Sequence, residues 1–103
     1  MNQEIKDYIK KHSIAIVSTC SDNFPNGVPI FYIFDEENER FYFVSKDATQ
    51  KIKNIKNNSN AFLAIYDESP PKVYTAECKA TLLNTNNDIF KKYIDQLIQT
   101  HSH

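Results

Sequence analysis

The chain has 103 residues, with 12 Lys+Arg against 13 Asp+Glu and a formal net charge of −1. That is the size of one domain and the wrong charge for a protein built to coat nucleic acid. The single glycine, Gly27, excludes a dinucleotide-binding G-x-G-x-x-G turn and a Walker phosphate loop, both of which need several glycines.

The first segment, Gln3 to Lys11, places Ile5, Tyr8 and Ile9 on one helical face, with Asn2 as cap and Glu4 at the positive end of the dipole. From Ile14 the pattern changes to short β-rich runs. Ile14 to Cys20 and Val28 to Phe34 are apolar on both faces, as strands covered on each side would be. Two turns fit between them. Asn26-Gly27 is the stronger hairpin signal by local chemistry, and Asp22-Asn23 is also viable because Asn tolerates the left-handed conformation. After the charged turn Asp35 to Arg40 comes a third strand, Phe41 to Ser45. Asp47 to Asn57 reads as a short helix with Asp47 as N-cap, closed by the turn-favouring run Asn57-Asn58-Ser59-Asn60.

Ala61 to Tyr66 is a fourth strand, broken by Pro70-Pro71. In the fifth, Tyr74, Ala76, Cys78, Ala80 and Leu82 face one way and Thr75, Glu77, Lys79 and Thr81 the other, the alternation of a strand with one wet side. A closing helix is expected from about Asp88 to Thr100, with Ile89, Phe90, Tyr93, Ile94, Leu97 and Ile98 as its apolar stripe. The order is α-β-β-β-α-β-β-α. Short connections between strands imply antiparallel pairing, and five short strands in so small a chain imply a barrel or sandwich.

Cys20 and Cys78 form no C-x-x-C pair and fit reduced thiols in a cytoplasmic protein. Three histidines, two of them in His101-Ser102-His103, do not assemble a metal centre. No apolar run approaches the roughly 20 residues of a membrane-spanning helix, and Met1-Asn2-Gln3-Glu4 has no signal-peptide character.

The densest cationic stretch runs from Ser45 to Lys56, and its opening part lies where a strand gives way to a helix N-terminus. Backbone N–H groups there face outward at the positive end of the dipole, and Ser45, Thr49 and Lys51 have the right chemistry for a phosphate. Lysines on an exposed helix face are more often solvating charges, and that ordinary explanation stands beside the anion site. Phe31, Tyr32, Phe34, Phe41, Tyr42 and Phe43 crowd two adjacent strands; such aromatics are usually core, although a flat heterocycle or single-stranded nucleic acid could use them. His12 reads as structural or exposed and Glu77 as a solvated carboxylate. No serine or cysteine sits in a context that marks a nucleophile.

Taken together, these blocks resemble the FMN-binding split-barrel family typified by pyridoxamine 5′-phosphate oxidase, over roughly Ile5 to Leu83. The likeness rests on the opening helix, Ile14-Ala15-Ile16-Val17-Ser18-Thr19, the turn with Asp22, Asn23 and Pro25, and Val28-Pro29-Ile30-Phe31-Tyr32. It continues through Phe41-Tyr42-Phe43-Val44-Ser45, Thr49-Gln50-Lys51-Ile52-Lys53-Asn54-Ile55 with Asn57-Asn58, and the strand Ala61 to Tyr66. The resemblance favours Asp22-Asn23 as the hairpin turn and implies an antiparallel split β-barrel. It further implies a homodimer with FMN at its interface, and the two-faced apolar strands leave surface for such a partner. Carried over by position, Val28, Pro29 and Ile30 lie against the isoalloxazine ring, largely through backbone. Val44, Ser45, Gln50 and Lys51 line the ribityl and phosphate end, together with Lys46 and Thr49.

Three departures shape the expectation. Gly27 to Phe34 carries no basic residue, Gln50 stands where the oxidases tend to have arginine, and the chain ends after its last helix without the family's usual C-terminal strand. The expectation is therefore one FMN-binding split-barrel domain over residues 1–103. Its FMN would exchange hydride with an unknown small substrate, and oxidation of pyridoxamine phosphate itself is not expected. The alternatives are a non-catalytic member, which stores flavin, binds haem or deazaflavin or has lost its site, and a small barrel for single-stranded nucleic acid. The net charge and the acidic turn Asp35-Glu36-Glu37-Asn38-Glu39 count against the last. No catalytic acid or base is assigned.

Overall fold

A computed structural model of the chain describes residues 1–46, 48–83, 88, 91 and 92. In chain order these form α1 (Gln3–Lys11), β1 (Ile14–Ser21), β2 (Phe24–Phe31), β3 (Ile33–Asp35), β4 (Arg40–Tyr42), α2 (Gln50–Asn57), β5 (Asn60–Glu68) and β6 (Pro71–Lys79). The closing helix expected over 88–100 lies, but for three positions, outside the described residues. The strands make a four-stranded sheet in the order β2-β1-β5-β6 and a two-stranded sheet, β3-β4. β1–β5, β5–β6 and β3–β4 are all antiparallel, the mostly antiparallel architecture of a split barrel. Two compact units divide the described chain: Met1–Ser13 with Phe31–Val44, and Ile14–Ile30 with Ser45–Leu82.

In the first unit, α1 forms where cap, dipole and periodicity agree. The Asn2 side chain accepts the Ile5 N–H at 2.9 Å, Glu4 stands in the first turn, and Lys10 and Lys11 stand in the last. Tyr8 and Ile9 are its buried residues. Tyr32 is buried as well, and its hydroxyl donates to the Ile9 carbonyl at 2.6 Å. Its ring meets Phe41 edge-on at 5.3 Å, and Phe41 lies 4.9 Å from Phe34. Tyr32 is core, as its place among the strand aromatics predicts, whereas Phe34 and Phe41 are half-buried and Phe31 is 51% exposed. Burial pushes the Tyr32 hydroxyl pKa well above its ordinary value. Tyr32 also corrects the reading of Val28 to Phe34 as one strand. Its N–H bonds to the Ser13 carbonyl at 3.0 Å, which ends β2 at Phe31 and starts β3 at Ile33.

In the second unit, β1 and β2 are joined at Asp22-Asn23, with φ of 53° and 64°. Positive φ at both central residues is the requirement of the tight turn that matches strand twist. Gly27 is not at a turn. It lies within β2, where an added Cβ would sit 3.2 Å from Ser18 Oγ. Asn23→Val should cost about 1–2 kcal/mol, because a β-branched residue resists the left-handed conformation; urea unfolding measures the loss. The inner face of β1 and β5 carries the buried Ala15, Val17, Thr19, Leu63 and Ile65. Ile52 and Ile55 of α2 are buried with them. β5 and β6 run in register from Asn60↔Lys79 to Glu68↔Pro71, so Pro71 begins β6 rather than breaking the chain. Tyr74, Ala76 and Cys78 are half-buried and Thr75, Glu77 and Lys79 exposed, the alternation read from the sequence. The third strand ends at Tyr42, which leaves 43–46 as irregular backbone before α2.

Candidate functional site

Polar chemistry in the second unit gathers at the start of α2 and on the adjoining end of β1. The N-cap of α2 is Thr49, two residues beyond the expected Asp47, which lies outside the described residues: the Thr49 backbone is extended (φ −73°, ψ 153°) and its hydroxyl accepts the Ile52 N–H at 3.4 Å. The same hydroxyl also ties down the preceding loop, donating to the Lys46 carbonyl at 3.0 Å. With its one proton spent there, the 3.1 Å contact to Ser45 Oγ has Ser45 as donor. The helical ladder begins with Lys53 N–H to Thr49 O at 3.2 Å, so the N–H groups of the first turn stand at the positive end of the dipole.

Lys51 lies in that first turn and is only 8% exposed. The first turn of α2 contains no acidic residue. A cation there is opposed twice, by loss of water and by the helix dipole. Burial pushes its ammonium pKa below the ordinary lysine value. Lys53, two residues on, is exposed. A buried cation beside the N–H groups of a helix start is an arrangement that suits a multiply charged anion.

Beside this cradle runs a polar chain between helix and sheet. Gln50, exposed at the first position of α2, donates through Nε2 to Asn54 Oδ1 at 2.8 Å. Asn54, 2% exposed, donates in turn through Nδ2 to Thr19 Oγ1 at 3.1 Å. The two-residue turn at Asp22-Asn23 sets Ser18 against Gly27, in keeping with their close approach, and Thr19 against Asn26. Asn26 Oδ1 is buried and accepts no hydrogen bond. This end of the inner face is therefore polar, whereas Val17, Leu63, Ala15 and Ile65 make the rest apolar.

The structure thus joins Ser45, Lys46 and Thr49 by hydrogen bonds and links Gln50 to β1. Val28 and Ile30 share the inner face of β2, half-buried and buried, while Pro29 is exposed on the other face. Val44, 47% exposed, falls in the first unit. Sequence reasoning missed Asn54, Thr19 and Asn26. A signal for Asn54 was present: it lies four residues after Gln50 and inside the buried stripe Lys51, Ile52, Asn54, Ile55. Among the described residues no group of three or more His, Cys, Asp or Glu could hold a metal ion, and no helix is long and apolar enough to cross a membrane.

A family model described as pyridoxamine 5′-phosphate oxidase matches residues 1–103. UPF0306 protein PM1958 of Pasteurella multocida (strain Pm70) is 29% identical over 66 residues, 64% of this chain and 44% of that protein. The match thus spans less than half of that relative's length. Among solved structures, HutZ, the heme storage protein from Vibrio cholerae, superposes with a TM-score of 0.81 at 15% identity, covering 95% of this chain and 73% of that one. At that identity the likeness concerns the fold.

Proposed function

The chain belongs to the pyridoxamine 5′-phosphate oxidase family, and from that premise we propose that it is a cytoplasmic, homodimeric flavoprotein that binds FMN and exchanges hydride with a small substrate. The observation that carries this reading is Lys51, a lysine more than nine-tenths buried in the first turn of α2. A phosphate fits what this junction offers: a buried lysine and the N-terminal amides of an eight-residue helix, with the Ser45–Thr49 hydrogen bond fixing the loop that leads into them.

Bound FMN would supply the two-electron chemistry. The chain's own residues bind and orient. Lys51 neutralises phosphate charge, and Thr49 holds the loop that carries Ser45 and Lys46. Gln50 adds a neutral carboxamide where an arginine would add charge. Val28 and Ile30 offer an apolar wall that excludes water, and Pro29 lends a carbonyl acceptor but no N–H. β2 is an edge strand of its sheet, where proline is tolerated and backbone groups remain for a ligand.

The outer face of the four-stranded sheet supports the dimer. Ile14, Phe62, Tyr66 and Val73 are 48%, 43%, 57% and 65% exposed there, with Tyr66 and Val73 directly paired. An apolar patch of this kind marks an interaction surface.

Purified protein reconstituted with FMN should be yellow, retain flavin through gel filtration, and bind FMN more tightly than riboflavin. A protein that stays colourless in excess FMN overturns the reading. HutZ's fold similarity raises haem as the second reading, which a haem spectrum after haem addition would favour.

A further inference from the structure

We infer that Asn54 is a positioning residue of the phosphate end of the site, holding the Gln50 carboxamide in one orientation through a relay anchored on Thr19. This rests on the FMN reading and adds to it a residue that never touches the ligand. Asn54 is 2% exposed, in a stripe otherwise filled by Ile52, Ile55 and the stem of Lys51. An apolar residue there would pack without desolvating an amide, so the polar side chain is not needed for burial. What the amide adds is direction. Its Nδ2 is committed to Thr19 Oγ1 at 3.1 Å, so its Oδ1 is the atom presented to Gln50. Gln50 must then turn Nε2 inward, at 2.8 Å. The second hydrogen on that nitrogen is left as a donor at the start of α2, next in sequence to Lys51.

Gln50 is exposed, and an exposed glutamine surrenders rotamer freedom whenever it binds. A carboxamide already held by Asn54 has surrendered that freedom before the ligand arrives, which is preorganisation. The relay thus gives a neutral side chain part of the fixed geometry that a guanidinium has by its own planarity.

The test is a double-mutant cycle on the full chain, with FMN and riboflavin as ligands and thermal unfolding as a check on folding. Asn54→Leu keeps the number and branching of the side-chain heavy atoms and removes the relay. It should weaken FMN binding about two- to tenfold, the range of one ordinary hydrogen bond, and leave riboflavin binding within error. In a Gln50→Ala background, Asn54→Leu should have no further effect on FMN. Thr19→Val, which leaves Asn54 in place, should reproduce part of the loss, and Thr19→Ser should restore wild-type affinity. In ligand-free protein, the Gln50 side-chain amide resonance should move toward its solvent-exposed value in Asn54→Leu. If Asn54→Leu does not fold, the Thr19 pair decides the matter, with the Gln50 resonance read in Thr19→Val, where it should move in the same direction. Equal losses for both ligands, an undiminished effect without Gln50, or an unmoved Gln50 resonance would show Asn54 to be structural only and overturn the inference. Failure of the wild-type protein to bind FMN overturns the functional reading itself, and the inference with it.

Discussion

Lys51→Ala is expected to weaken FMN binding about ten- to 150-fold and to leave riboflavin binding nearly unchanged. A charge-assisted hydrogen bond is worth roughly 1.5–3 kcal/mol, and riboflavin has no phosphate with which to make it. Lys53→Ala is the control, because Lys53 is exposed two residues along the same helix while Lys51 is buried. Titration of both ligands against both variants separates a phosphate contact from a general loss of surface charge. Equal losses for the two ligands, or for the two lysines, would remove Lys51 from the site. Stability should move the opposite way. Burial lowers the Lys51 pKa, so the charged form is penalised in the fold at every pH below that depressed value. As pH rises through the folded pKa toward the unfolded one, the penalty is relieved and the ligand-free protein gains stability from this group. FMN binding should weaken over the same alkaline window as the ammonium deprotonates. Lys51→Met, which keeps the apolar stem and removes the charge, should therefore raise the melting temperature of the ligand-free protein and abolish that pH dependence.

Legibility in the sequence followed the range of the forces involved. The helix α1 could be read to the residue because cap, charge placement and apolar spacing all act within a few positions of one another. The hairpin turn could not be decided by local chemistry, since Asp22-Asn23 and Asn26-Gly27 are both good turn formers. Gly27 serves a contact with Ser18 across the strand pair, invisible to any short window. The split of one apolar run into β2 and β3 likewise depends on Tyr32 reaching Ser13 and Ile9, 19 and 23 residues away. At α2 the sequence points to Asp47 as the cap, whereas the cap is Thr49, whose hydroxyl also bonds to Ser45 and Lys46 in the loop before the helix. The candidate anion site was legible as a strand–helix junction bearing Ser45, Thr49 and Lys51. The burial of Lys51 and the relay through Asn54 were not, because both depend on which side of α2 faces β1.

If the chain is the homodimer proposed above, Phe62→Lys is expected to make it a monomer while leaving the fold of the protomer intact. Phe62 is 43% exposed on the outer face of the four-stranded sheet, paired with Ser18 on β1 and Glu77 on β6. Within the protomer, a lysine opposite Glu77 makes a cross-strand pair of opposite charge, favourable by about 0.2–1 kcal/mol. In a two-fold symmetric interface the same lysine enters twice. Closing the interface would then strip water from that ammonium and its Glu77 partner in both protomers, at a cost of several kcal/mol per ion that their attraction only partly repays, so dissociation should become much easier. Sedimentation at micromolar concentration should show one species of twice the chain mass for the wild type and of single mass for the variant, which should still unfold cooperatively, at a temperature lowered only by the lost association. Val73→Glu, at the more exposed position opposite Tyr66, should act in the same direction. FMN affinity decides what the interface is for. If each flavin lies between two protomers, Phe62→Lys must lose FMN and riboflavin together, the opposite of the selective loss expected for Lys51→Ala. A monomeric variant that keeps full FMN affinity would place the whole site within one chain.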